Sequence, residues 1–285
     1  MKYLTAWSQK QPSTKAGARM KKITILDIQR FKDEGKKISM LTAYDCQMSR
    51  ILDSCNVDIL LVGDSVGNTV MGLDNTLPVT MAAMLHHTQA VVRGRKQALV
   101  VADMPFMSYQ VSLEEARRNA GLFIKEGGAE AVKVEGGENA EDVIRALTCI
   151  DIPVMGHIGL TPQSIHRMGG YKVQGKEEHQ RQKLMADAAA VERAGAFAMV
   201  LEGVPASLAR DITKNLTIPT IGIGAGSDCD GQVLVINDVL GLSGKFRPKF
   251  VKQYVQLEDI IKKAVAEYVD EVQSGKFPSE EFSFK

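Results

Sequence analysis

From residue 24 onward, short apolar runs alternate with segments of helical period. The runs that read as strands are Ile38–Ala43, Asp58–Gly63, Ala98–Ala102, Ala131–Val134, Pro153–Gly156, Ala196–Leu201, Pro219–Ile223 and Gln232–Ile236. Each is nearly continuous in apolar residues, the pattern of parallel strands buried on both faces. Between them the periodicity predicts helices over Cys46–Asn56, Met81–Arg93, Leu113–Glu126, Ala140–Cys149, Glu177–Ala194 and Ala206–Asn215. Ser112, with Glu115 three residues on, reads as a capping box. Gly94, Gly127-Gly128 and Gly195 stand where helices should stop. A further helix, Thr24–Glu34, precedes the first strand, and Leu257–Ser274 closes the chain. Strand–helix alternation with eight strands predicts an α/β fold of the (β/α)₈ barrel kind, one domain over 22–285. The competing doubly wound sheet would carry GxGxxG after its first strand, and none is there.

The chain has 285 residues, which suits such a barrel. Its 35 Lys and Arg against 34 Asp and Glu leave a net charge of +1, so no nucleic-acid partner is expected. No apolar run reaches the roughly 18 residues of a membrane span. Cys46, Cys55, Cys149 and Cys229 form no CxxC pair, which argues against a zinc ribbon or a disulfide framework. Reduced thiols in a reducing, cytoplasmic compartment are the expectation. Residues 1–21 read as a basic flexible leader: Lys2, Lys10, Lys15 and Arg19 stand in it with no acid before Met20. No apolar core of a secretory signal is present, while a short organellar transit peptide stays open.

Chemistry in such a barrel sits at the C-terminal ends of the strands. The second to sixth runs all end in ionisable groups: Asp64-Ser65, Asp103, Lys133 with Glu135, His157 and Glu202. Scattered surface charge would not choose that position five times running. Asp64, Asp103 and Glu135 come from neighbouring strand ends and should converge. Three carboxylates so placed repel one another, and a hard divalent cation such as Mg²⁺ relieves the repulsion with oxygen ligands alone. Lys133 and Glu135 lie two apart and so point to one side of the sheet. Lys133 then binds an anionic substrate, forms a Schiff base or neutralises Glu135. Ile221–Gly226, after the seventh strand, either admits a phosphate or makes a tight turn. Gly169–Gly175 reads as a mobile lid. His86, His87 and Cys46 read as helix residues rather than ligands.

Longer motifs then identify a resemblance. Leu41-Thr-Ala-Tyr-Asp45, Leu61-Val-Gly-Asp-Ser-Val-Gly67, Thr76-Leu-Pro-Val-Thr80, Ala102-Asp-Met-Pro-Phe-Met107 and Val132-Lys-Val-Glu-Gly-Gly137 carry it. So do Gly156-His-Ile-Gly-Leu-Thr-Pro-Gln163, Gly169–Gly175 and Ile221–Gly226. From about residue 22 to its end the chain resembles the ketopantoate hydroxymethyltransferase family. The resemblance implies a barrel of the phosphoenolpyruvate/pyruvate type. It implies transfer of a hydroxymethyl group from 5,10-methylenetetrahydrofolate to 3-methyl-2-oxobutanoate, through a Mg²⁺-stabilised enolate. Asp64 and Asp103 match the family's metal aspartates, and Glu135 matches its looser third acid. Ser65 and Lys133 match its substrate-carboxylate contacts. Glu202 matches its general base, and burial is expected to raise the pKa of that carboxyl. His157 either orients the keto acid, supports Glu202 or bonds to the lid. A homo-oligomer, a decamer, is also implied. Gly203 and the Ser227–Asp230 stretch depart from the family pattern. The competing readings are a metal-dependent lyase or mutase that needs no pterin, and a barrel that has become a binding scaffold.

Overall fold

The computed structural model describes residues 21–170, 172–244 and 248–284. Eight parallel strands close into a barrel in sequence order. They are β1 (Ile38–Thr42), β2 (Ile59–Val62), β3 (Leu99–Asp103), β4 (Ala131–Glu135), β5 (Val154–Gly159), β6 (Ala198–Glu202), β7 (Thr220–Ile223) and β8 (Gly231–Leu234). β1 pairs with β2 on one side and with β8 on the other, which closes the ring. The helices are α1 (Ile25–Asp33), α2 (Cys46–Ser54), α3 (Val66–Thr69), α4 (Met81–Gly94), α5 (Leu113–Lys125), α6 (Glu141–Thr148), α7 (Ile165–Met168), α8 (Glu178–Arg193), α9 (Ala206–Asn215), α10 (Ile236–Leu240) and α11 (Leu257–Gln273).

Side chains alternate along each strand, so one set fills the barrel and the other meets the helices. Met40, Ile59, Leu61, Leu99, Val101, Ala131, Met155, Ala198, Val200, Ile221, Ile223 and Val233 share the interior cluster. Leu60, Val62, Val100, Ala102, Val132, Val134, Val154, Met199 and Leu201 pack outward with the helices. Burial on both faces is why the strands read as continuous apolar runs. The helix expected before the first strand, α1, puts Ile28 and Phe31 into the interior cluster and so plugs the N-terminal mouth. Lys32 pins it there, donating to the carbonyls of Leu216 (3.1 Å) and Ile218 (2.9 Å) and to Asp230 Oδ2 (3.0 Å).

Several boundaries differ from the sequence reading. β4, β5 and β6 run on to Glu135, Gly159 and Glu202, so the polar residues belong to the strands rather than following them. β8 stops at Leu234, and Ile236 begins a short helix whose first N–H bonds Thr42 Oγ1 at 3.0 Å. Ser112 caps α5 by accepting from Glu115 N, but the return half of the expected box is missing. Complete boxes stand instead at Thr24–Asp27 and Glu177–Gln180. Within the stretch after β5, Pro162–Ser164 and α7 form helical turns, and the described residues between Gly169 and Glu177 have no helix or strand. Tyr171 of the expected lid, and residues 1–20 of the expected leader, lie outside the described residues. Among the described residues no helix is long and apolar enough to cross a membrane.

Candidate active site

The interior alternation delivers most of the site. Two residues beyond Val101 stands Asp103; two and four beyond Ala131 stand Lys133 and Glu135. Two beyond Met155 stands His157, and two beyond Val200 stands Glu202. A period of two keeps each on the inner face of its strand, so the top layer of the barrel filling is ionisable where the layers below are apolar. Asp64 and Ser65 join from the turn after β2. All seven predicted site residues line one cavity of about 100 Å³, floored by Leu61, Val200, Ile223 and Val233.

Asp64, Asp103 and Glu135 each offer an oxygen within 4.8 Å of the others, and all three are buried. Lys133 sits among them. Its Nζ is 2.9 Å from Asp103 Oδ1, 3.4 Å from Glu135 Oε1 and 3.0 Å from His157 Nδ1. His157 Nδ1 is also 3.5 Å from Glu135 Oε1, and its Nε2 is 3.2 Å from Glu202 Oε2. Glu202 is more open than Asp103, Lys133, Glu135 and His157, with 17% of its side chain exposed. Ser65 Oγ bonds the Tyr44 hydroxyl at 2.8 Å.

The electrostatics follow from burial and crowding. Burial, then the charges of Asp103 and Glu135, push the Asp64 carboxyl well above the usual carboxylate range. Burial also raises Asp103, with Lys133 opposing it. Glu135 is equally buried, yet Lys133, His157 and the backbone N–H of Gln163 outweigh the desolvation and hold it below its ordinary value. Burial would lower Lys133, but the three carboxylates overcome this and hold the ammonium charged. For His157, burial and Lys133 push down while Glu135 and Glu202 push up, and the carboxylates win at about 9. The neutral ring can accept from Lys133 at Nδ1; the protonated ring donates toward Glu135 and gives up that contact.

The donor set fits a hard divalent cation. It is oxygen only, it holds three acids against one lysine, and Asp103 Oδ1 is buried without a well-directed hydrogen bond. Among the described residues, His157 is the only imidazole in the cavity wall, and no Cys lines it. His86 and His87 lie on α4, where His87 Nδ1 meets the Tyr44 carbonyl at 2.6 Å. The segment after β7 is accounted for by packing. A Cβ on Gly224 would meet the Phe250 ring at 2.8 Å and one on Gly226 would meet Ala206 at 2.5 Å, and both have positive φ.

Gln163 closes the Gly156–Gln163 motif, and the sequence pattern assigns it no role. Gln163 enters on the Pro162–Ser164 turn and lies across the acid cluster. Its Nε2 donates to Asp64 Oδ2 (3.0 Å) and to the Met104 carbonyl (2.9 Å), and its backbone N–H donates to Glu135 Oε2 (3.0 Å). Its Oε1 accepts from the Tyr109 hydroxyl at 2.8 Å. The signal was Pro162, which starts a helical turn and bends the chain back over the barrel mouth.

The ketopantoate hydroxymethyltransferase family model matches residues 22–280. A 3-methyl-2-oxobutanoate hydroxymethyltransferase of Citrifermentans bemidjiense is 63% identical over 265 residues, 93% of this chain and 99% of that protein. One of Geobacter metallireducens is 61% identical over 264 residues, again 93% and 99%. Among solved structures, phosphonopyruvate hydrolase with oxalate and Mg²⁺ superposes with a TM-score of 0.59 at 12% identity, over 91% of this chain and 93% of that one. 2,3-Dimethylmalate lyase, of the PEP mutase/isocitrate lyase superfamily, gives 0.58 at 16%, over 92% of each. At such identities the two structures speak for the barrel fold alone.

Proposed function

The chain belongs to the ketopantoate hydroxymethyltransferase family, and we propose that it transfers a hydroxymethyl group from 5,10-methylenetetrahydrofolate to 3-methyl-2-oxobutanoate, giving 2-dehydropantoate. The observation that carries this reading is the buried Asp64–Asp103–Glu135 cluster with Glu202 in the wall of the same cavity. The chemical task is to remove a proton from a tertiary carbon beside a ketone and then to present the resulting carbanion equivalent to a one-carbon electrophile.

Asp64, Asp103 and Glu135 would hold Mg²⁺, with Glu135 the looser ligand. When bound, Mg²⁺ supplies positive charge against the keto oxygen as negative charge develops there. Ser65 and Lys133 orient the keto-acid carboxylate. For Lys133 this means exchanging one present partner, Glu135 or His157, for the substrate. Glu202 takes the C3 proton. Its partial exposure gives that proton a way to solvent, and His157 Nε2 stands 3.2 Å from the carboxylate without a well-directed hydrogen bond. Leu61, Val200, Ile223 and Val233 keep the floor apolar, which suits the isopropyl group of the substrate.

The four free thiols accord with a cytoplasmic enzyme. The family's decameric assembly would give α11 a partner: no residue of it is buried, and Ile260, Ile261, Val265, Tyr268 and Val269 are exposed along it. Incubation with the keto acid, Mg²⁺ and methylenetetrahydrofolate tests the reaction. Ketopantoate should form only when all three are present. Formation of product without the folate, or none with it, removes the assignment.

A further inference from the structure

We propose that Gln163 is a positioning residue that confines Asp64 to one metal-facing oxygen and thereby favours Mg²⁺ over Ca²⁺; the inference rests on the metal reading of the site above. Its amide orientation is fixed by chemistry. The Met104 carbonyl can only accept, so the Gln163 atom 2.9 Å from it is the NH₂ group. The same NH₂ donates to Asp64 Oδ2 at 3.0 Å, while Oε1 on the other side accepts from Tyr109. Both hydrogens are thereby used and the side chain cannot flip without facing oxygen to oxygen.

The other acids are divided in the same way. Asp103 Oδ2 accepts the backbone N–H of Asp64 at 3.2 Å, and Glu135 Oε2 accepts the backbone N–H of Gln163 at 3.0 Å. One oxygen of each carboxylate is tied to an N–H group, and the second oxygens of Asp103 and Glu135 face Lys133, a mobile cation that a metal ion can displace. Two of the three commitments come from Gln163. Mg²⁺ demands a near-octahedral shell and binds through few, monodentate carboxylates, whereas Ca²⁺ takes more oxygens and accepts bidentate ones. A carboxylate whose second oxygen is tied back favours the smaller ion. Only the Asp64 contact depends on the Gln163 side chain, since Glu135 is held by its backbone.

The test is calorimetry of Mg²⁺ and of Ca²⁺ binding to the full chain, wild type against Gln163→Met, with no substrate present. Partners that orient metal ligands are typically worth about 10- to 100-fold in affinity. Mg²⁺ affinity should fall by about that range while Ca²⁺ affinity falls by less than about threefold or rises. The preference for Mg²⁺ then narrows at least about threefold. Equal losses for both ions would mean general damage, and unchanged affinities would mean no role; either overturns the proposal. Tyr109→Phe, which keeps Gln163 and removes only the hydroxyl at its Oε1, should move the preference the same way by about threefold. An unaltered preference there, with Gln163→Met failing to fold, also overturns it. Wild-type protein that binds neither ion overturns the metal reading itself. Wild type that binds Mg²⁺ beside a variant with the same preference overturns only the role of Gln163.

Discussion

The two ends of the barrel use the same residue types to opposite effect. At the N-terminal end, acids stand just before strands or, for Asp53, near the end of α2. Asp53 accepts three backbone N–H groups, from Lys96 (3.0 Å), Gln97 (2.9 Å) and Ala98 (2.8 Å). Asp58 takes the N–H (2.9 Å) and hydroxyl (2.7 Å) of Ser39. Asp230 takes Thr220 N (2.9 Å) and Lys32 Nζ (3.0 Å). Glu130 takes Val100 N and pairs with Arg95 and Lys22. At the C-terminal end, Asp64 and Asp103 are just as buried but face one another and Glu135. Backbone donors there are few, and burial and mutual repulsion press the Asp64 carboxyl well upward. A carboxylate surrounded by N–H groups is a staple; one surrounded by carboxylates attracts positive charge. The difference lies in what surrounds each acid.

The contrast can be broken in order of expected size. Asp64→Ala or Asp103→Ala should reduce Mg²⁺-dependent ketopantoate formation to background, since several kcal/mol of charge stabilisation are at stake. Glu135→Gln should lose less, and a larger loss there than at Asp64 would invert the assigned order of ligands. Glu202→Gln keeps the shape and removes the proton acceptor. Deuterium exchange at C3 of the keto acid, run without folate, should slow by about 10²- to 10⁴-fold while keto-acid binding persists. Wild-type exchange in that variant would pass the role of base to another group.

At the other end, Asp53→Ala should leave C3 exchange at its wild-type rate and lower stability by about 2–3 kcal/mol, because buried N–H groups lose their acceptor. Denaturant melts read this directly, and a slowed exchange with unaltered stability would erase the distinction between the ends. Smallest and of opposite sign, Asp64→Asn should stabilise the metal-free protein by about 1 kcal/mol by relieving buried like-charge repulsion. A thermal melt in chelator should then rise by roughly 2–4 °C. A fall would show that Asp64 is held by more than the Gln163 amide.

The C-terminal end was legible because strand parity does the geometry. Once Val101, Ala131, Met155 and Val200 face inward, Asp103, Lys133, Glu135, His157 and Glu202 have no other side to face. The N-terminal acids are not legible. Asp58 falls within its apolar run, Asp53 looks like a helix-surface charge, and Glu130 and Asp230 look like loop charges, because their donors are backbone groups up to 45 residues away. Gln163 was missed for the same reason. Its partners Asp64 and Met104 lie 99 and 59 residues upstream, brought near only by barrel closure. The half-formed box at Ser112 errs the other way: local sequence allows a contact that Glu115 does not make.

The closure has a consequence in time. Lys32 reaches Asp230 across 198 residues, and Thr42 receives the N–H of Ile236 across 194. A ribosome adding about 5–20 residues per second needs on the order of 10–40 s to make that span. Throughout that interval β1 has β2 on one flank and nothing on the other, and α1 lacks the carbonyls that hold its lysine. The seam between β1 and β8 is therefore the last joint made and the place where a nascent chain is most exposed to pairing with a stranger.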